Sequence, residues 1–188
     1  MPRYLVTGGA GFIGSHLVDT LVANGHYVRV LDDLSTGKKG NLPADVELVV
    51  ADVTDPEAVR CGLADMDGCF HLAAIASVER GQREWLRSHS VNLSGTVSIF
   101  DRARRVGALS GRPIPVVYAS SAAVYGDPRH IPISEDAPTC PISAYGVDKL
   151  GCDLHAAVAC RIYNMSAVGL GFSMFMDRDK IPTRPIPG

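Results

Sequence analysis

Three glycines, Gly8, Gly11 and Gly14, fall at a GxxGxxG spacing within Thr7-Gly8-Gly9-Ala10-Gly11-Phe12-Ile13-Gly14. A short apolar run, Tyr4-Leu5-Val6, precedes them, and Ile13, Leu17, Leu21 and Val22 follow at a helical spacing. A strand, a glycine turn and a helix start in that order can seat a pyrophosphate. Gly8 turns the chain, Gly11 lets the backbone approach the phosphates, and Gly14 lets the helix pack on the sheet. The free N–H groups and positive end of the helix favour the anion. Asp32 stands 18 residues past Gly14, at the end of a second strand pattern. A carboxylate there accepts from both hydroxyls of an adenosine ribose and repels a 2′-phosphate. The expected cofactor is therefore NAD rather than NADP. No Arg occupies 33 to 37, and Lys38 and Lys39 are the nearest cations.

A second group could move a proton. Tyr145-Gly146-Val147-Asp148-Lys149 opens a helical pattern, so Tyr145 and Lys149 share one face at i and i+4. A phenol with a pKa of ~10 is a weak base at neutral pH. A neighbouring ammonium and a positive nicotinamide lower that value, so Tyr145 can take a proton from an alcohol as hydride leaves its carbon. Ser120 and Ser121, within Ala119-Ser120-Ser121-Ala122-Ala123-Val124-Tyr125-Gly126, follow a strand pattern and point at the same crevice.

These residues need a scaffold. Strand patterns cover Tyr4 to Val6, Tyr27 to Leu31, Val46 to Val50, Gly68 to Ala74, Pro115 to Ser120 and Ser166 to Phe172. Helical patterns cover Phe12 to Ala23, a short stretch after Asp55-Pro56, Trp85 to Arg105 and Ala144 to Ala159. The strands read as continuous apolar runs, as strands buried on both faces of a parallel sheet do. The expected fold is α/β, a doubly wound parallel sheet of Rossmann type. Residues 1–172 form an NAD-binding domain. Residues 173–188, with Pro182, Pro185 and Pro187, read as a tail or the stump of a substrate domain.

Composition removes other classes. The chain has 188 residues, with 46% apolar and 20% charged, enough for one ordinary core. Lys plus Arg number 18 against 20 Asp plus Glu, so no basic excess exists to hold a phosphate backbone, and nucleic acid is not expected. No apolar run approaches the ~20 residues of a membrane span, and no signal-peptide pattern opens the chain. Cys61, Cys69, Cys140, Cys152 and Cys160 are an odd set without CxxC spacing. The six histidines show no HExxH pattern. Disulfides and metal are therefore not expected, and a cytoplasmic location is.

The stretches TGGAGFIGSHLVD, VRVLDDLSTGKKGNLP, ADVTD, FHLAAIASV, VNLSGT, YASSAAVYGD, PISEDAP and PISAYGVDKL run in order from residue 4 to about 155. In them the chain resembles the extended short-chain dehydrogenase/reductase superfamily. Within it, the chain is similar to the NAD-dependent sugar epimerase/dehydratase family, in its UDP-glucose 4-epimerase-like branch. The resemblance implies that Gly8, Gly11, Phe12, Ile13 and Gly14 hold the pyrophosphate. It implies that Asp32 holds the ribose, with Asp33, Ser35, Thr36 and Gly37 beside it, and that Asp52 and Val53 meet the adenine. Leu72, Ala73, Ala74 and Ala76 would pass the cofactor, with Asn92 nearby and Ala119 at the end of the fifth strand. Ser121, Tyr145 and Lys149 match the catalytic serine, tyrosine and lysine.

The implied activity is a nucleotide-sugar 4-epimerase with tightly bound NAD, acting on a UDP-hexose or UDP-N-acetylhexosamine, with a homodimer as a possible assembly. Alternatives are a reductase or decarboxylase of the same superfamily, or an NAD-binding remnant. Dehydration is disfavoured, because Ala122 and Ala123 stand where the family's dehydratases carry an Asp-Glu pair. The family's motif after strand six is also altered: Leu170 to Arg178 lacks its arginine and asparagine. As 188 residues, the chain is expected to bind NAD and to turn over sugar nucleotides poorly.

Overall fold

A computed structural model describes residues 1–173 apart from 110, 112 and 129. Six strands form one parallel sheet in the order β3-β2-β1-β4-β5-β6. They are β1 (Arg3–Thr7), β2 (Tyr27–Asp32), β3 (Glu47–Val50), β4 (Gly68–His71), β5 (Val116–Ser121) and β6 (Ala167–Phe172). The order reverses between β1 and β4, and in such sheets ligands sit beyond the carboxyl ends of the strands at that point. Residue 7 of β1 lies level with Leu31 of β2 and His71 of β4. The glycine turn therefore leaves the sheet beside Asp32.

Leu5 and Val6 are both fully buried, on opposite faces, which is why β1 reads as an unbroken apolar run. Leu5 and Leu31 pack with Val59, Leu63, Ile99, Phe100, Cys152 and Ala156. Those residues come from α2 (Pro56–Leu63), α5 (Gly95–Leu109) and α6 (Ala144–Tyr163). Val6, Val28 and Val30 pack on Val18 and Leu21 of α1 (Phe12–Ala23). Asp55 starts α2 by accepting from the amides of Glu57 and Ala58, with Pro56 at its first position. Ser143 starts α6 by accepting from the Gly146 amide, and Asn164 ends it in the left-handed conformation.

Two elements differ from the sequence reading. The fourth strand ends at His71 rather than Ala74. Beyond it, the Ala73 amide donates to Thr7 Oγ1 and the Ile75 amide to Asn92 Oδ1, so the ladder gives way to side-chain partners. A separate short helix, α3 (Val78–Arg83), precedes α4 (Trp85–His89), and a π-helical turn over Ser90–Ser94 joins α4 to α5. Ser77 caps α3 by accepting from the Arg80 amide, a start that apolar periodicity does not show. Met174 to Gly188, which hold most of the expected tail, lie outside the described residues. Among the described residues no helix is long and apolar enough to cross a membrane.

Candidate active site

The glycine loop is fixed by contact on all sides. Gly8 has φ +69°, a left-handed conformation that disfavours a side chain. Its amide donates to Leu31 O. Gly11 precedes α1, and no side chain caps that helix and no acid sits in its first turn. The free N–H groups there are left for an anion. The Ala10 amide donates to Asp32 Oδ2 at 2.9 Å, and the Leu34 amide to Asp32 Oδ1 at 2.8 Å. Asp32 is thus a loop fastener as well as an acceptor. A carboxylate has about four lone-pair sites, so two remain for a ribose diol.

Ala10 O accepts from the Lys38 amide at 3.1 Å and from Asn41 Nδ2 at 2.9 Å, which straps the 33–41 turn to the glycine loop. Asp33 shapes that turn by accepting from the Ser35 amide and hydroxyl.

One groove crosses the carboxyl ends of β1, β2 and β3. Gly8, Gly11, Asp32, Asp33, Ser35, Thr36 and Gly37 line it from one side. Asp52, Val53, Leu72, Ala73 and Ala74 complete much of the rest. Phe12, Ile13 and Gly14 open α1 and are not among its lining residues. Ala76 is exposed and does not line the groove. Asn92 is buried behind the groove and holds Ile75 at both ends, accepting from its amide at 2.8 Å and donating to its carbonyl at 3.1 Å. Arg80 and Arg87 also line the groove, and the sequence reading had neither. Nothing in the sequence sets them apart, since Arg80, Arg83 and Arg87 follow the i, i+3, i+7 spacing of an ordinary solvated helix face.

A buried polar chain supports the groove floor. Thr7 Oγ1 lies 2.7 Å from His71 Nδ1, and His71 Nε2 lies 2.9 Å from Thr96 Oγ1. Thr96 gives its proton to Asn92 O at 2.6 Å. Nε2 must then carry the histidine proton, and Nδ1 accepts from Thr7. Burial, with a smaller contribution from the Lys149 charge, pushes the His71 pKa down to about 3. Unfolding lets this histidine take up a proton below pH ~6.5, so stability present above that value is lost as pH falls towards 3.

His71→Gln removes this acid sensitivity. From pH 7 to pH 5 the wild type should lose roughly 2 kcal/mol more than the variant. Urea unfolding at the two pH values measures it, and equal losses would refute the buried neutral histidine.

The proton-transfer group assembles at the end of β5. Ser121 ends β5, and its Oγ accepts from the Ala123 amide at 3.1 Å. Tyr145 sits in the first turn of α6. Lys149, one turn on, is 3% exposed, and its Nζ donates to Ala119 O at 2.8 Å. Nζ lies 5.8 Å from the centre of the Tyr145 ring. Ser121, Tyr145 and Lys149 are therefore brought together, and Ala119 acts as the seat of the lysine.

Burial sets the largest part of the electrostatics of this group. Burial raises the Tyr145 pKa, and a hydrogen bond with the Ser121 hydroxyl opposes that rise. Burial likewise lowers Lys149, against the charges of Cys152, Asp153 and Asp148. Ser121 thus favours the phenolate by a hydrogen bond, and the Lys149 ammonium stands over the same ring. Asp153, one turn beyond Lys149, accepts from Tyr118 OH and Ser120 Oγ, each at 2.8 Å, and so fixes the strand that carries Ser121.

The family model described as the NAD dependent epimerase/dehydratase family matches residues 4–176. A UDP-glucose 4-epimerase of Mycolicibacterium smegmatis is 40% identical over 171 residues, covering 87% of this chain and 53% of its own. The Thermus thermophilus UDP-glucose 4-epimerase, solved in complex with NAD, superposes with a TM-score of 0.82 at 35% identity, over 90% of this chain and 54% of that one. The UDP-N-acetylglucosamine 4-epimerase of Methanobrevibacter ruminantium M1, solved with UDP-N-acetylmuramic acid, gives a TM-score of 0.85 at 32% identity. That match covers 98% of this chain and 60% of the other. The chain spans about half the length of the curated relatives it matches. Glycine loop, Asp32 and the Ser121-Tyr145-Lys149 group thus stand together on a sheet of this order, within one matched span. The chain belongs to the NAD dependent epimerase/dehydratase family.

Proposed function

We propose that the chain is the cofactor-binding part of a nucleotide-sugar 4-epimerase acting on a UDP-hexose or UDP-N-acetylhexosamine. The observation that carries this reading is the meeting of Ser121, Tyr145 and Lys149 at the carboxyl end of β5, on the same sheet edge as the glycine turn and separated from it by β4 alone. Residues 1–172 are the NAD-binding domain, and 173–188 a tail or the stump of a substrate domain. The groove fits NAD: the uncapped start of α1 suits the pyrophosphate, and Asp32 the ribose. When bound, NAD supplies the hydride acceptor and donor.

Tyr145 takes the proton of the 4-hydroxyl and returns it once the sugar has presented its other face. Ser121 stabilises the tyrosine's charged form, and Lys149 holds the end of β5 through Ala119. Ala122 and Ala123 offer no acid or base, so elimination of water is not supported.

The same reading includes a homodimer and a cytoplasmic location. Val147, Leu154, Val158 and Ile162 form an exposed apolar stripe along α6, a surface suited to a second copy. All five cysteines are free thiols. Sedimentation at several concentrations tests the dimer, and a monomer throughout would remove it.

The function itself is tested by supplying UDP-galactose to purified protein and separating the products by chromatography, with mass spectrometry for co-purified NAD. Retained NAD is expected, with UDP-glucose formed only slowly by these 188 residues. Protein without affinity for NAD would refute the reading.

Asp32→Ala is expected to weaken NAD binding by about 1–3 kcal/mol per lost charged hydrogen bond. It also frees the Ala10 and Leu34 amides, so the affinity loss should come with a lower melting temperature. Titration calorimetry with NAD and NADP measures the preference, and equal wild-type affinities for the two would exclude the ribose role.

A further inference from the structure

The groove carries an ion pair at its outer end. The pyrophosphate site is the turn after β1 and the ribose acid ends β2, so the base lies farther out, towards the end of β3. There Ala51, Asp52 and Val53 form one wall. The segment of α3 and α4 brings Arg80 and Arg87 into the lining opposite. Arg80 pairs with Glu84 at 3.0 Å within its own segment. Arg87 instead donates through Nη2 to Asp52 Oδ2, across 35 positions of sequence.

Asp52 is held ready for this contact. Its Oδ1 accepts from the Thr54 amide at 2.8 Å and from the Thr54 hydroxyl at 2.7 Å. Burial works against its charge, but these bonds and Arg87 keep its pKa below the ordinary carboxylate value. The side chains of Arg87 and Asp52 remain 40% and 31% exposed. Water and salt therefore reach the pair, and it can open without unfolding its surroundings.

We propose that Arg87 is a positioning residue for the cofactor: paired with Asp52, it clasps the adenosine end of the groove and slows release of the bound dinucleotide. The inference rests on the NAD reading above. A ligand laid along the ends of β1, β2 and β3 leaves between α4 and the turn after β3. With the pair made, that passage is bridged. An enzyme that restores its cofactor within each turnover has no need to exchange it, and slow release suits that chemistry.

The full chain is loaded with NADH and mixed rapidly with excess NAD, and the loss of bound NADH fluorescence gives the release rate. Arg87→Met keeps the length of the stem and removes the charge. Release should be roughly three- to fivefold faster in this variant, the scale of a half-exposed ion pair. Arg87→Lys should restore part of the slow release. Raising salt from ~0.1 M to ~1 M shortens the Debye length from ~10 Å to ~3 Å. That change should speed release from the wild type more than from Arg87→Met. In an Asp52→Asn background, Arg87→Met should add little.

A release rate in Arg87→Met equal to the wild type, or the same salt response in both, would overturn the clasp while leaving NAD binding intact. A wild type that does not bind NADH would overturn the cofactor reading and the clasp with it. A thermal melt of each variant separates lost folding from fast release, and Arg87→Lys carries the test if Arg87→Met fails to fold.

Discussion

In any form of the protein that turns over a UDP-hexose, Tyr145→Phe is expected to lower the rate on the order of 10²–10⁴-fold, the scale of a lost general base. The fold should survive, because the phenyl ring keeps the packing and α6 keeps its Ser143 cap. NAD binding should survive as well, since the groove residues Gly8, Gly11 and Asp32 are untouched. The pH profile sharpens the test. Burial raises the tyrosine, so the active phenolate grows with pH and the wild-type rate should climb through the alkaline range. Ser121 supplies the opposing hydrogen bond. Ser121→Ala should therefore move that limb to higher pH, whereas Tyr145→Phe abolishes it. A pH–rate series on the three proteins decides it, and near-normal turnover without the phenol would remove Tyr145 from the mechanism.

What the sequence could reveal was local. Gly8, Gly11 and Gly14 were legible because a strand run and a helical period flank them at once. Asp32 was legible because its distance from the loop follows from one strand–helix–strand unit. The burial of Leu5 and Val6 on opposite faces showed in the unbroken apolar run of β1. Tyr145 and Lys149 were placed on one helix face by spacing alone.

What stayed hidden depends on partners far along the chain. Lys149 ends on the carbonyl of Ala119, 30 residues away, so it is a buried strut at the end of β5 before it is a neighbouring charge. Asn92 replaces the ladder that β4 gives up, across 17 residues. Asp153 fixes Tyr118 and Ser120, and Asn41 reaches Ala10 O. Lys149, Asn92 and Asn41 each satisfy a backbone group, and Asp153 satisfies two hydroxyls. No periodicity marks such a bond, because its geometry exists only after the sheet has formed.

Gly14→Ala is expected to cost NAD affinity about 100-fold. A Cβ on Gly14 would stand 2.2 Å from Gly8 O, 2.7 Å from Gly9 Cα and 2.9 Å from Gly8 C. All three are backbone atoms, so no rotamer change relieves the contact. The loop cannot retreat either. On its other side, a side-chain position at Gly8 already lies 2.6 Å from Ala73 N and 2.8 Å from Leu72 C. The glycine turn is wedged between α1 and the exit from β4, and one methyl group must push it off the helix start. Overpacking of this kind costs about 1–3 kcal/mol of stability. The larger effect falls on the phosphates. Displacing the loop loses one or two charge-assisted hydrogen bonds at roughly 1.5–3 kcal/mol each, and about 2.7 kcal/mol is a factor of 100. Gly11→Ala is the matched comparison. Its Cβ would meet only Gly8 O, at 3.3 Å, while facing the groove. It should therefore weaken NAD with little change in melting temperature, where Gly14→Ala lowers both. Titration calorimetry and thermal melts on the pair read the two effects apart. Wild-type affinity in Gly14→Ala would mean that the first turn of α1 does not hold the phosphates.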